Sequence, residues 1–376
     1  MPRMTDICVI GGGASGIAAA IAANMENPDA SICIVEKKDK IGRKLLATGN
    51  GRCNFTNASC ENVSETLGFF NKLGIKEREG EQGRIYPYSG QAKDVLRVFE
   101  AYLISHNIKI ITDFTAGDLS FPESGRIVVC GRGGEINAGK ALLATGGKAG
   151  PQYGCSGDGY KMARAAGHTV TKTIPALSSV ECRGDFSRVK GERAKARVTL
   201  LRKGEALCSE TGELQFTDYG LSGICIFNLS RHIRLDGCGF DDYEISADLF
   251  YDMSEEELDR ELDLRRENQD ILPGNLLVSL MPASIAACFF GGDADAKALK
   301  NLRFTASNVK GWAFAQCTSG GIPQSEINME TMESKIASGL YFAGELVDYD
   351  GPCGGYNLNN AWETGIKAGR AMAADV

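Results

Sequence analysis

The chain has 376 residues, with 41 Lys and Arg against 48 Asp and Glu, for a net charge of −7. Hydrophobic residues make 43% and charged residues 24%, ordinary globular values that exclude general disorder and a coiled coil. The length predicts two or three domains, the acidic balance argues against nucleic acid or an anionic membrane surface as the main partner, and 46 glycines against 10 prolines predict many tight turns and close backbone approaches.

Taken in order, Ile7 to Ile10 reads as a buried strand, Gly11 to Gly16 as a turn, and Ile17 to Asn24 as a helix with small residues on one face. The uncharged run from Ile7 to Ala23 is too short for a membrane span and is broken by four glycines, so neither a span nor a signal peptide is expected. A second buried strand, Ser31 to Val35, ends in Glu36 and completes a β-α-β unit. Gly42 to Asn57 is basic and glycine-rich and reads as a loop. Ser89 to His106 carries Val95, Val98, Phe99, Tyr102 and Leu103 on one helical stripe. Lys109–Thr112, Arg126–Cys130 and Ala141–Ala144 read as strands, followed by a short helix from about Gly159 to Gly167.

Beyond Pro175 the texture changes. Alternating runs at Ala196–Leu201, Glu205–Cys208, Ile224–Leu229 and Glu244–Ala247 predict a small antiparallel sheet or barrel. Ser254 to Asn268 is a charged helix with Ser254 and Glu257 at capping-box spacing, and Leu276 to Phe290 a more apolar helical stretch. Residues 176 to about 311 thus read as an inserted region. A strand at Gly339–Glu345 and a helix from Asn357 to Ala374 restore the α/β pattern.

Thirteen cysteines are scattered without a C-x-x-C pair, so no metal site and no disulfide framework is expected, only reduced thiols in a cytoplasmic protein. Three histidines, His106, His168 and His232, leave little room for histidine-based catalysis.

The chemistry concentrates in Gly11-x-Gly13-x-x-Gly16, between strand and helix, with Glu36 twenty residues further on. The first glycine permits the turn, the second lets a pyrophosphate approach the backbone, and the third packs helix on strand. Ala14 and Ser15 lie within this turn, ahead of the helix whose N-terminus faces the phosphates. Glu36 suits a ribose diol and repels a 2′-phosphate there. The pattern predicts an adenine dinucleotide.

The stretch from Lys37 to Asn57, with Gly42-Arg43-Lys44-Leu45-Leu46-Ala47-Thr48-Gly49-Asn50-Gly51-Arg52-Cys53-Asn54 inside it, resembles the BaiN-like (aminoacetone-oxidase-like) family of flavoproteins, whose signature is a glycine-arginine-cysteine-asparagine loop. Ala144 to Gly147, Ser156 to Tyr160, Phe216 to Gly223 and Gly339 to Asn357 look like further blocks of that family, in its order, across nearly the whole chain. The resemblance implies FAD and a Rossmann-type α/β domain split by insertion (1–175 and 312–376). It implies a β-barrel-like domain (176–251 and about 303–311) and a small helical domain (252–302).

It also implies cofactor contacts from Lys37, Arg43, Lys44, Leu45, Thr48, Gly49, Gly51, Arg52, Cys53 and Asn54, from the backbone at Ala116, and from Thr145 and Gly146. Gly344 and Glu345 resemble a second flavin fingerprint, with Asp350 as a competitor for the ribityl hydroxyls. Gly354, Gly355, Tyr356 and Asn357 open the last helix, whose N-terminus suits the charge of reduced flavin. Cys353 departs from the threonine usual in the family.

The expectation is an FAD-dependent oxidoreductase that reduces an activated C=C bond of a small enone or steroid-like molecule, entering between the flavin domain and the insertion. NAD(P)H would serve as a transient donor, though no second glycine fingerprint is present. No catalytic residue is singled out. Fumarate-reductase-like or aminoketone oxidase chemistry, a flavin-dependent tRNA-modifying protein and a flavin-binding electron carrier stand as alternatives.

Overall fold

The structure, a computed structural model, describes residues 3–374 and 376 except 124, 236 and 269–275. The chain divides into two units, Met1–Ile174 with Cys317–Val376, and Pro175–Gln316.

The first unit runs β1 (Arg3–Ile10), α1 (Ala14–Glu26), β2 (Ile32–Val35), α2 (Arg43–Ala47), β3 (Thr56–Asn57), α3 (Val63–Lys72), β4 (Glu77–Glu79) and β5 (Arg84–Pro87). It continues with α4 (Ala92–Ser105), β6 (Lys109–Ile111), β7 (Thr115–Ser120), β8 (Ile127–Arg132), β9 (Gly134–Leu143) and α5 (Asp158–Ala165). After β10 (Ile174–Ala176) the second unit follows: β11 (Val180–Cys182), β12 (Arg193–Arg202), β13 (Glu205–Phe216), β14 (Gly220–Ser222), α6 (Ile224–Ser230), β15 (Tyr243–Asp248), α7 (Glu255–Glu267), α8 (Ala283–Phe290), α9 (Ala296–Leu299) and β16 (Leu302–Val309). The chain returns through β17 (Cys317–Ser319), β18 (Leu340–Phe342) and α10 (Tyr356–Ala374).

The sequence expectation of a Rossmann-type sheet holds. β6, β2, β1 and β9 are parallel neighbours in that order. On its far side β9 serves two partners: antiparallel β8 along Gly134–Ala138 and parallel β18 along Ala141–Leu143. The central strands are buried on both faces, so Ile7, Cys8, Val9 and Ile34 are all apolar rather than alternating. α1 is rich in alanine because α10 lies against its backbone. A side-chain carbon at Gly365 or Gly369 would stand well inside 3.0 Å of the Ser15 or Ala19 carbonyl.

The second unit holds a closed six-stranded barrel, ordered β11-β14-β13-β12-β15-β16, where a small sheet or barrel is expected. Phe186, Phe216, Phe289 and Phe304 pack together in its core. Ser254 and Glu257 form the expected capping box on α7. Two readings need correction. Ile224–Leu229 is helical: Cys225, Ile226 and Leu229 face the barrel core at helical spacing, and a short β-branched run is ambiguous until packing decides it. The stretch from Leu276 becomes helical only at Ala283, after Pro282, which has no N–H to continue an earlier helix. Residues 269–275 of the helical region lie outside the described residues.

Candidate functional site

Because β1, β2, β9 and β18 are parallel, their carboxyl ends share one edge of the sheet. The residues that follow them there are Gly11, Glu36, Thr145 and Gly344. Gly11 has φ 115°, and a side-chain carbon on it would collide with the Ala144 carbonyl at the end of β9. Gly16 abuts the Gly11 carbonyl, whereas the position a side chain would take on Gly13 opens onto free space. α1 has no side-chain cap and no acidic residue in its first turn, so its leading N–H groups stay available to an anion.

Glu36 is drawn back over this loop. One of its oxygens accepts from the Gly12 N–H and the other from the Lys38 N–H, both at 2.9 Å. The Phe114 N–H donates to the Glu36 carbonyl at 3.0 Å, which brings the start of β7, with Ala116, beside it. A register shift between Ala116 and Asp118 interrupts the pairing of β7 with β8 at that point.

The expected loop at Gly42–Asn57 contains a short helix, α2, which the glycine content hides. Leu45 is buried from it, and Lys44 reaches across to Glu345 with Nζ 2.6 Å from Oε2. Burial alone would lower the Lys44 pKa, but the Glu345 carboxylate outweighs it and holds the ammonium above its ordinary value. The other oxygen of Glu345 accepts from the Thr318 N–H at 2.9 Å and the Thr318 hydroxyl at 2.8 Å. That hydroxyl in turn accepts from the Lys148 and Ala149 N–H groups. Sequence reasoning missed Thr318. The signal available was Thr318-Ser319-Gly320-Gly321, a glycine turn directly after a strand.

Arg43 is turned toward Asp39 at 2.8 Å, while its Nε is buried without a hydrogen-bond partner. Arg52 lies over the Tyr86 ring, 4.7 Å from its centroid. Lys37 pairs with Asp158 at 2.5 Å and also reaches Ser156. Burial would raise the Asp158 pKa, but the hydrogen bonds from Lys37 and Ser156 bring it below its usual value. Thr48 turns its hydroxyl onto the Leu45 carbonyl, in the turn that carries Gly49 and Gly51.

The loop then meets the start of α10. Gly355 has φ 109° and lies against the Thr56 carbonyl. Asn57 donates to the Gly354 carbonyl at 2.9 Å, Thr56 donates to Asn359 at 2.7 Å, and the Trp362 indole donates to the Phe55 carbonyl at 3.0 Å. Asn357 closes the turn by exchanging two bonds with Gly351. Asn54 Oδ1 is buried at this junction with no hydrogen-bond partner. Gly146, Asp350 and Tyr356 are part-exposed on the same unit.

Cys53 is fully buried, and burial pushes its thiol up to about 12, so it is no thiolate at neutral pH. Native protein at pH 8 is expected to leave Cys53 unlabelled by iodoacetamide, read by peptide mass spectrometry; labelling at the rate of a free thiol would contradict the burial. His168 is pinned between Glu326 (2.9 Å) and Ser334 (2.7 Å) and packs edge-on to Phe342, a structural role. Tyr219 belongs to the second unit, with its hydroxyl 3.4 Å from Ser179. No group of His, Cys, Asp and Glu able to hold a metal occurs among the described residues.

These features fit an adenine dinucleotide with a bulky polar ring: an uncapped helix behind a glycine cradle, an acid at the second strand end, and a buried amide oxygen without a partner at the far end. A Rossmann-type flavoprotein is thereby defined. The family described as HI0933-like protein Rossmann domain matches residues 5–67 and 61–371, and the chain belongs to it. The chain is 36% identical to the 3-dehydro-bile acid delta(4,6)-reductase of Clostridium scindens, over 98% of this chain and 99% of that protein. It is 25% identical to the ribosomal RNA dihydrouridine synthase of Haemophilus influenzae, over 97% of each. The fold is shared with the 3-ketosteroid-delta4-(5alpha)-dehydrogenase of Rhodococcus jostii RHA1 at TM-score 0.52 and 13% identity, covering 99% of this chain and 97% of that one. The protein is an FAD-dependent oxidoreductase. No described helix is long and apolar enough to cross a membrane.

Proposed function

We propose that the protein reduces a carbon–carbon double bond conjugated to a carbonyl in a small steroid-like substrate, drawing electrons from NAD(P)H. The observation that carries this reading is the full-length 36% identity to a reductase of 3-dehydro-bile acids. FAD, when bound, supplies a two-electron carrier that accepts and delivers a hydride equivalent.

The chain's own residues hold that group. Gly11, whose own N–H donates to the Val35 carbonyl, makes the turn. Gly13, Ala14, Ser15 and Gly16 present backbone N–H groups to the pyrophosphate, Glu36 accepts from the adenosine ribose, and the Ala116 backbone borders the adenine. Lys37, Arg43 and Lys44 offset phosphate charge, with Leu45, Thr48, Gly49, Gly51 and Cys53 shaping the loop that carries them. Glu345, held by Lys44 and Thr318, receives the ribityl hydroxyls. Asn54, Arg52, Thr145, Gly146, Gly344, Asp350, Gly354, Gly355, Tyr356 and Asn357 surround the ring, and the α10 N-terminus stabilises negative charge on it.

Glu36→Ala is expected to weaken FAD binding about ten- to a hundredfold, since hydrogen bonds to a charged group are worth about 1.5–3 kcal/mol. Fluorescence titration of the apoprotein reads it, and unchanged affinity would remove Glu36 from the ribose.

A second reading is favoured by the 25% identity to a ribosomal RNA dihydrouridine synthase. The uracil double bond is also conjugated to a carbonyl, so the chemistry is the same on a different carrier. The test is anaerobic bleaching of the yellow protein by NADH or NADPH, then re-oxidation by 4-ene-3-keto steroids, unsaturated acids, a uridine-containing rRNA fragment or oxygen. Rapid re-oxidation by an enone supports the first reading. Re-oxidation by the rRNA alone supports the second. A colourless protein that cannot be reconstituted with FAD refutes both.

A further inference from the structure

The small sheet formed by β3, β5 and β4 sorts its side chains by face. Arg78 stands opposite Tyr86, and Asn57 opposite Arg84, so these four share one face together with Tyr88 two residues on. The other face carries Thr56, Ile85 and Pro87, all buried, together with Glu77 and Glu79. Alternation thus puts the arginines on one face, with the buried Asn57, and these two acids on the other, where Glu79 is nonetheless exposed. Arg78 lies over Tyr88, 4.1 Å from the ring centroid, and Arg52, from the preceding loop, lies over Tyr86. None of Arg52, Arg78 and Arg84 has an ion pair among the described residues. Three guanidiniums without carboxylates, two of them over phenol rings, form a cationic aromatic strip on a chain of net charge −7.

We infer that this strip docks the phosphates and one base of the nicotinamide dinucleotide that reduces the enzyme. The inference rests on the donor named under Proposed function and adds where it binds. Guanidiniums in this array match phosphate oxygens, and an arginine held over a tyrosine ring gives a base a cationic group to pack against. The strip adjoins the proposed cofactor residues: Asn57 donates to the Gly354 carbonyl, and Arg52 belongs to the same loop as Asn54. The strands are only two to four residues long, a footprint for one or two nucleotides rather than a folded RNA. A long polyanion would also meet the overall negative charge.

The experiment is anaerobic stopped-flow reduction of the FAD-loaded protein, titrated with NADPH and with NADH at low and at moderate salt. Arg78→Gln, alone and with Arg84→Gln, is compared with the unchanged chain. For the double variant the expected result is a donor Kd raised about 10- to 100-fold, with FAD content, the dithionite-reduced spectrum and re-oxidation by substrate unaltered. The single variant should fall between, and the difference should shrink with salt. An unchanged Kd in a double variant that still loads FAD overturns the docking site while leaving the donor reading intact. Failure of both nucleotides to bleach the unchanged chain overturns the donor reading itself. Loss of RNA retention in the variant with unchanged NADPH affinity also overturns the proposal and assigns the strip to nucleic acid.

Discussion

Gly355→Ala is expected to give a protein that retains little flavin and unfolds at a lower temperature. At φ 109° an L side chain is strained, and here its first carbon would sit well inside 3.0 Å of the Thr56 carbonyl. Thr56 cannot give way easily, since its hydroxyl is tied to Asn359 and its neighbour Phe55 to Trp362. Strain and collision together are worth about 2–4 kcal/mol. Gly354 is the internal comparison. It also has positive φ, at 126°, but a side-chain carbon there would have no neighbour closer than 3.6 Å. Gly354→Ala is therefore expected to cost only the backbone strain, about 1–2 kcal/mol. Thermal melts and the ratio of flavin to protein absorbance read both variants. Equal losses in the two would show that contact with the signature loop is not the cause.

That contact was half visible in the sequence. Gly11-x-Gly13-x-x-Gly16 and Glu36 lie within one β-α-β unit, where spacing and periodicity determine local geometry, and so they were readable directly. The two blocks that meet at Gly355 each resemble the family on their own. Their juncture through Thr56, Asn57, Gly354 and Asn359 spans roughly three hundred residues and needs the fold. The barrel was legible from alternation, but α6 was not, because Ile224-Cys225-Ile226 satisfies both periods until the barrel core claims one face. Thr318 was invisible for another reason. A threonine in a short strand carries no pattern of its own, and its importance comes from the four hydrogen bonds by which three groups converge on its hydroxyl and N–H.

The Lys44–Glu345 pair joins positions 301 residues apart and ties α2 to the turn after β18. Lys44→Met would leave a carboxylate in a largely enclosed site with only Thr318 to hold it. Removing one partner of a buried pair costs about 3–5 kcal/mol. The two side chains keep 26% and 19% exposure, so solvent softens the loss to roughly 2–3 kcal/mol. Glu345→Gln should cost a similar amount, while the double variant should cost clearly less than the sum, the sign of direct coupling. Thr318→Val should add about 1–3 kcal/mol of its own by removing the hydroxyl that accepts from the buried Ala149 N–H. The pH dependence has a defined direction. The folded Lys44 pKa lies above the ordinary lysine value, so its contribution is complete below about pH 10.4. It is lost as pH rises through the higher folded value. The stability gap between the unchanged chain and Lys44→Met, measured by urea unfolding, should therefore be flat from pH 6 to about pH 10 and narrow only above it. A gap that closed on acidification instead would place the controlling charge elsewhere than on Lys44.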